Sequence, residues 1–337
     1  MKLTTRYMGL DLRNPLVASA SPLSNTVDGV RRLADAGVGA VVLYSLFEEQ
    51  LSRQAEENTR FAGAGTESFA ESLTYFPEAA GADHGERPYL SLLERSAAAV
   101  SIPVIGSING STTGSWAAYA RSMQECGAAA IELNIYTLPG DAHISGAEVE
   151  QRHLDILARV KDVVTVPVAV KLSPFFSATA DMTRRLDLAG ADGLVLFNRF
   201  LQPDIDPETL AVAPGISLSR ASEALLPLTW IALLHGRINA SLAATTGVEG
   251  SKELIKYLLA GADVVMTASA LLRHGPDYAA VMLDGLSRWM GRKEYTAVDD
   301  FRGLLAVPIG ADEAARERGD YVSALRRANG ADFGPLT

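Results

Sequence analysis

Eight short apolar stretches, each closing on a small or polar residue, constrain the fold of this chain more than any other feature. They are Asn14–Ser19, Gly39–Ser45, Ile102–Ser107, Ala129–Asn134, Val166–Lys171, Gly193–Asn198, Ile238–Ala244 and Asp263–Ser269. Short continuous apolar runs read as strands buried on both faces, and helical patterns lie between them. Eight such alternations predict an α/β fold, a (β/α)8 or TIM barrel, whose chemistry sits at the C-terminal ends of its strands. The residues that close the stretches, among them Ser45, Asn134, Lys171 and Asn198, are where function is expected.

The joints support this reading. Ala36-Gly37, Cys126-Gly127, Ala189-Gly190 and Ala260-Gly261 each precede an apolar run, as a glycine helix cap followed at once by a strand would. Ile102-Pro103-Val104 and Val166-Pro167-Val168 place proline at the start of a strand, where it is tolerated. Helices are expected over Thr26–Ala36, Ser115–Cys126, Ala147–Val163, Ala180–Leu188 and Ser251–Leu259.

The 337 residues accommodate one barrel domain, with its core over about residues 14–292. Residues 48–87 form a long polar insertion after strand 2, on the catalytic face, where it could cover the site. Residues 294–337 form a C-terminal extension, with a charged helix expected over Asp312–Ala328.

A formal charge of −10 at pH 7 disfavours nucleic acid and anionic membrane surfaces as partners, but not a small anion held at a local positive site. Cys126 is the one cysteine, so no intrachain disulfide forms, which is compatible with a reducing cytoplasm. Met1–Tyr7 lacks the apolar core of a signal peptide, and no apolar run is long enough to span a bilayer. A cytoplasmic protein acting on a small molecule is the default expectation.

Lys171 closes strand 5 at the barrel mouth. There it could hold an anion, stabilise negative charge on a cofactor, form a Schiff base, or pair with a neighbouring carboxylate. Asn134 and Asn198 close strands 4 and 6, and Asn109 follows strand 3. Their amides offer paired donors and acceptors suited to a flat heterocycle, although a lone Asn is more often a turn former. Thr246-Gly247 and Ala268-Ser269 follow strands 7 and 8, the usual phosphate position of such barrels. Small residues there let backbone N–H groups and a helix N-terminus approach phosphate. His84, His143, His153, His235 and His274 show no metal-ligand spacing, and surface or capping roles are expected for each. No metal is expected, and nucleotide loops of the Gly-x-Gly-x-x-Gly and Walker types are absent.

In this order, the strand ends resemble those of the dihydroorotate dehydrogenase family of FMN barrels, from Asn14 to Pro276. Asn14-Pro-Leu-Val-Ala-Ser-Ala20 is similar to the family's first-strand motif, which implies that Ala18, Ser19 and Ala20 approach the flavin. Glu132-Leu-Asn134 resembles its Glu-Leu-Asn motif, whose Asn faces flavin and substrate. Val170-Lys171-Leu172 resembles the motif whose Lys neighbours flavin N1. Asn198 falls at a substrate-contacting Asn, and Ser45 and Asn109 at positions beside the flavin. Thr246-Gly247-Val248 and Thr267-Ala268-Ser269-Ala270-Leu271 resemble the two phosphate loops.

The chain departs from the pattern at the substrate end. Tyr44-Ser45 stands where the family has Lys-Ser. Asn134 is followed by Ile135-Tyr136-Thr137-Leu138-Pro139, where the soluble class continues Leu-Ser-Cys-Pro-Asn with Cys as base and the membrane class has Ser. Thr137 is the nearest match, or Leu138 with one inserted residue. The family's Asn-rich loop is unrecognisable in residues 48–87. Arg199 replaces a small hydroxyl residue, and could bind a substrate carboxylate bidentately or make a structural ion pair.

The resemblance implies an FMN-dependent oxidoreductase that transfers hydride between flavin and a C–C bond next to a carbonyl, with dihydroorotate as the default substrate. Lys171 would serve the flavin, and Thr137, Tyr136 or Tyr44 the proton step. It also implies a soluble homodimer; the electron-transfer partner is not identified, and the chain holds no iron–sulfur motif. Two other readings stand beside it: a lyase or aldolase using Lys171 as a Schiff base, and a flavin- or ligand-binding barrel without catalysis that acts in a complex. A dihydrouridine synthase is disfavoured by the acidic charge.

Overall fold

A computed structural model describes residues 1–47, 86–110, 116–136, 139–199, 203–213, 217–310, 318–319 and 321–325. The chain opens with an antiparallel hairpin, β1 (Thr5–Tyr7) and β2 (Leu10–Leu12). Parallel strands and helices then alternate: β3 (Leu16–Ala18), α1 (Val27–Asp35), β4 (Ala40–Val42), β5 (Leu46–Phe47), α2 (Glu86–Ala99), β6 (Val104–Gly110), α3 (Trp116–Glu125), β7 (Ala130–Ile135), α4 (Gly146–Lys161), β8 (Val168–Leu172), α5 (Thr179–Leu188) and β9 (Gly193–Leu196). A second antiparallel hairpin follows, β10 (Asp204–Asp206) and β11 (Ala211–Ala213). The chain continues through α6 (Leu225–Leu234), β12 (Ser241–Ala244), α7 (Ser251–Ala260), β13 (Val264–Thr267), α8 (Ser269–His274) and α9 (Tyr278–Arg292).

The ring runs β4-β3-β13-β12-β9-β8-β7-β6, and pairing of β4 with β6 closes it, all in parallel. This is the expected eight-stranded barrel. The second barrel strand is broken: β4 pairs with the start of β6, and β5 with its end, Leu46 opposite Ile108. The break falls on Leu43-Tyr44-Ser45.

The helix ends follow from their residues. Thr26 caps α1 by accepting from the Gly29 N–H, and Ser145 caps α4 in a reciprocal box with Glu148. All four glycines at the expected joints have positive φ, from 89° at Gly127 to 113° at Gly261. Pro103 and Pro167 lie just before β6 and β8, and their carbonyls accept from Val41 and Ile131 of neighbouring strands.

Two apolar layers form. One lies between ring and helices; Leu16, Val41, Leu133, Val170 and Leu196 face it from the strands. The other fills the barrel, with Val17, Val42, Ile105, Ala169, Val195 and Met266. Its floor is the first hairpin, which the sequence reading did not anticipate because three-residue strands carry too few alternations to be seen. Tyr7 and Met8 project upward from it, and a Cβ at Gly193 would lie 2.9 Å from Met8 Cγ.

Tyr7 is fully buried and its hydroxyl has no hydrogen-bond partner. Leaving such a group unsatisfied costs about 1–3 kcal/mol. Tyr7→Phe is therefore expected to raise stability by about 1 kcal/mol, seen as a higher urea midpoint with an unchanged slope. A lower midpoint would show that the hydroxyl serves the fold.

The segment after α9 returns under the barrel. Phe301 is buried against Trp289 and Tyr295 at ring distances of 4.9 and 5.2 Å, and Arg302 pairs with Asp263 at 3.0 Å. Most of the expected insertion (48–85) and most of the expected terminal helix lie outside the described residues; 321–325 are helical. His153 corrects the surface or capping role expected of it. It is buried on the inner face of α4, its Nδ1 against the Val149 carbonyl at 2.8 Å and its ring edge-on to Phe176. No described helix is long and apolar enough to cross a membrane.

Candidate functional site

Strand alternation builds the mouth in layers. Ser107, Glu132, Ala169 and Gly193 share one register level across β6, β7, β8 and β9. One step further up come Asn109, Asn134, Lys171 and Val195 two residues on, with side chains on the same inner face. The barrel interior thus changes from apolar at the floor to polar at the C-terminal strand ends.

Lys171 is only 8% exposed and lines the open cleft. Its Nζ lies 3.7 Å from Glu132 Oε1, and Glu132 is 1% exposed. Neither Glu132 oxygen has a hydrogen-bond partner. Asn198 Nδ2 donates to Asn134 Oδ1 at 2.7 Å, so two of the three amides expected at the mouth are joined directly.

The opposite wall is made by the ends of β12 and β13. Thr246 has φ +78° and Gly247 φ +71°, which turns the chain sharply after β12. Thr246 Oγ1 donates to the Phe197 carbonyl at 3.0 Å, and the buried Tyr257 hydroxyl donates to the Thr246 carbonyl at 2.7 Å. Burial holds the Tyr257 phenol well above its ordinary range, so it stays a donor. Ser219 ties the two loops together: its hydroxyl donates to Ser269 Oγ at 2.9 Å and accepts from the Gly247 N–H at 3.3 Å.

A cleft of about 140 Å³ joins these parts. Ser19, Ala20, Lys171, Asn198, Arg199, Thr246, Ala268 and Ser269, all expected from the sequence, line it. Val248 and Thr267, from the two expected phosphate loops, also line it, as do Phe197, Ser219, Thr245 and Met266, which were not anticipated. Ser219 had no local signal, since a lone Ser in a polar stretch becomes informative only when the tertiary fold sets it between two loops.

Other expected residues sit differently. Ala18 is buried in the layer facing the helices, because the alternation that sends Val17 inward sends it outward. Ser45 is buried with its hydroxyl 2.8 Å from Ser107 Oγ. Tyr44 packs edge-on against Tyr89 at 5.2 Å, and burial pushes its phenol up. Asn109 is buried at the end of β6. Thr137 lies outside the described residues.

Arg199 makes the structural ion pair. Its Nε donates to Glu223 Oε2 at 2.7 Å and its Nη2 to Glu223 Oε1 at 3.3 Å, while Nη1 donates to the Ser217 carbonyl. The guanidinium fork is thereby occupied by a carboxylate of the chain itself.

Comparison with known proteins agrees with this geometry. The family model described as "Dihydroorotate dehydrogenase" matches residues 2–290. "Putative dihydroorotate dehydrogenase A (fumarate)" of Aeropyrum pernix is 26% identical over 311 residues, covering 85% of this chain and 98% of the relative. "Dihydroorotate dehydrogenase B (NAD(+)), catalytic subunit" of Methanothermobacter thermautotrophicus is 23% identical over 321 residues, covering 90% and 98%. The protein of the same name from Methanocella arvoryzae is 28% identical over 318 residues, again covering 90% and 98%.

Proposed function

We propose, given that the chain belongs to the dihydroorotate dehydrogenase family, that its barrel mouth binds FMN and that it oxidises a cyclic substrate at a C–C bond beside a carbonyl. Dihydroorotate is the default substrate. The observation that carries this reading is Lys171: a buried cation opening on the cleft, level with Asn134, and facing a wall of small residues and a positive-φ turn.

The residues present fit that cofactor. Gly247 allows the turn to pass close to its neighbours, since a Cβ there would lie 2.5 Å from the Ala224 nitrogen. Ser19 and Ala20 line the cleft with small side chains, which suits a flat ring. When bound, FMN supplies the two-electron chemistry. Lys171 would offset negative charge at the ring's pyrimidine edge. The Asn134–Asn198 bond leaves Asn134 Nδ2 as a donor and Asn198 Oδ1 as an acceptor for a cyclic amide. Thr246, Gly247, Ala268 and Ser269 would hold the phosphate, and Ser45 and Asn109 would border the ring.

The proton step falls to Thr137, Tyr136 or Tyr44. Burial pushes the Tyr44 phenol up, which keeps it protonated but makes it a weaker acid and the least suited of the three. Because Arg199 is paired with Glu223, recognition of a substrate carboxylate rests on other groups of the mouth. The ammonium of Lys171, held in an ion pair with Glu132, suits a fixed charge better than a Schiff-base nucleophile. The same reading carries a one-domain protomer, a homodimer and a cytoplasmic location; light scattering tests the dimer.

The test is the absorbance spectrum of the purified protein, followed by anaerobic addition of dihydroorotate and then of fumarate or NAD+. Flavin bands that bleach with dihydroorotate are expected, and the acceptor that restores them identifies the oxidising half-reaction. Bands that persist would remove dihydroorotate as substrate. A protein that neither carries nor takes up FMN would overturn the reading.

A further inference from the structure

We infer that Glu132 is a positioning residue for Lys171, and that it sets where the lysine's charge is presented to the flavin. This rests on the FMN reading above. Glu132 lies one layer below Asn134 and Lys171, on the inner face of β7. Its level is otherwise furnished by Ser107, Ala169 and Gly193, all too small to reach across the barrel. The carboxylate is buried without a hydrogen bond, and the hydroxyls of Ser107 and Tyr7 are the neutral polar groups placed at its depth.

An ionised carboxylate in such a place is expensive unless a cation compensates it. Among the described residues the cation within ion-pair distance is Lys171, at 3.7 Å. That distance is long for a hydrogen bond, so the ammonium keeps its N–H donors for the cleft that it lines. Burial, and after it the charges of Glu132 and Asp263, oppose ionisation of the Tyr7 hydroxyl below. The pair thus presents its positive end, Lys171, to the cleft. Glu132 acts on the ring through Lys171: it holds the ammonium back toward the carboxylate and fixes the position from which that positive charge acts.

The experiment compares wild type, Glu132→Gln, Glu132→Asp, Lys171→Met and the Lys171→Met/Glu132→Gln double variant, each stripped and reconstituted with FMN. The readouts are the midpoint potential of bound FMN, its dissociation constant when oxidised, and the thermal unfolding curve. Glu132→Gln is expected to raise the potential by about 30 mV, a tenfold gain in preference for the reduced cofactor in a two-electron couple. Glu132→Asp, which draws the charge back by one methylene, is expected to fall between Gln and wild type, and it serves as the reading if the Gln variant does not fold. In the Lys171→Met background the Glu132→Gln shift is expected to shrink to a small fraction of its size.

FMN bound at an unchanged potential in both Glu132 variants would overturn the inference and leave the FMN reading intact. An equal shift with and without Lys171 would also overturn it, since Glu132 would then act on the flavin directly. Wild-type protein that takes up no FMN would overturn both.

Discussion

Lys171→Met is expected to lower the rate of dihydroorotate-driven flavin reduction by about 10²–10³-fold, the usual loss when one preorganised group facing developing charge is removed. Stopped-flow bleaching of the long-wavelength flavin band measures it. The same substitution is expected to destabilise the fold. It leaves Glu132, 1% exposed and without any hydrogen bond, as an uncompensated buried charge. Breaking a buried pair from one side costs about 3–5 kcal/mol, whereas replacing both partners by neutral groups is often nearly free. The double variant Lys171→Met/Glu132→Gln is therefore expected to regain most of the lost stability while its rate stays low. Urea unfolding separates the two effects. A single variant as stable as wild type would show that the Glu132–Lys171 pair does not support the fold, and a double variant that regains rate would remove Lys171 from the chemistry.

Gly247→Ala is expected to abolish retention of FMN through gel filtration and to weaken its binding at least a hundredfold. Gly247 has φ +71°, where a Cβ is strained by about 1–3 kcal/mol. That Cβ would also lie 2.5 Å from the Ala224 nitrogen and 2.8 Å from the Arg220 carbonyl oxygen, both backbone atoms that cannot swing aside. Relief requires the segment before α6 to withdraw. That segment carries Ser219, which joins the Gly247 turn to Ser269, so the proposed phosphate wall would lose its shape. Gly140→Ala is the control: it is exposed, nothing lies within 4 Å of its added Cβ, and a change within about 0.5 kcal/mol is expected. Tight FMN binding by Gly247→Ala would show that the phosphate is held elsewhere.

The particular residues show why some features were legible and others were not. The eight apolar runs were legible because a strand covered on both faces needs no partner identity to be recognised. The end of each run placed Lys171, Asn134 and Asn198 at one rim, because every parallel strand of a barrel points the same way. The helix starts at Thr26 and Ser145 were legible or nearly so, since capping is a contact across three residues. The hairpins β1–β2 and β10–β11 were not, being too short for periodicity to register. The broken second strand was not, because the break at Tyr44-Ser45 exists only relative to the pairing of β4 and β5 along β6.

The site divides along the same line. Chain order alone determined the barrel, the rim that bears the chemistry, and the residue types at the strand ends, because these follow from local apolar pattern and from the common direction of the strands. Only the tertiary structure decided what those residues do to one another. It set Arg199 against Glu223, 24 residues apart, and so closed its fork. It turned Ala18 toward the helices, brought Ser219 between two loops, and stood Glu132 beneath Lys171, 39 positions before it in the sequence, with no donor of its own. Pairing, burial and net charge at a point depend on the distance between side chains remote in sequence, and that distance exists only once the barrel has closed.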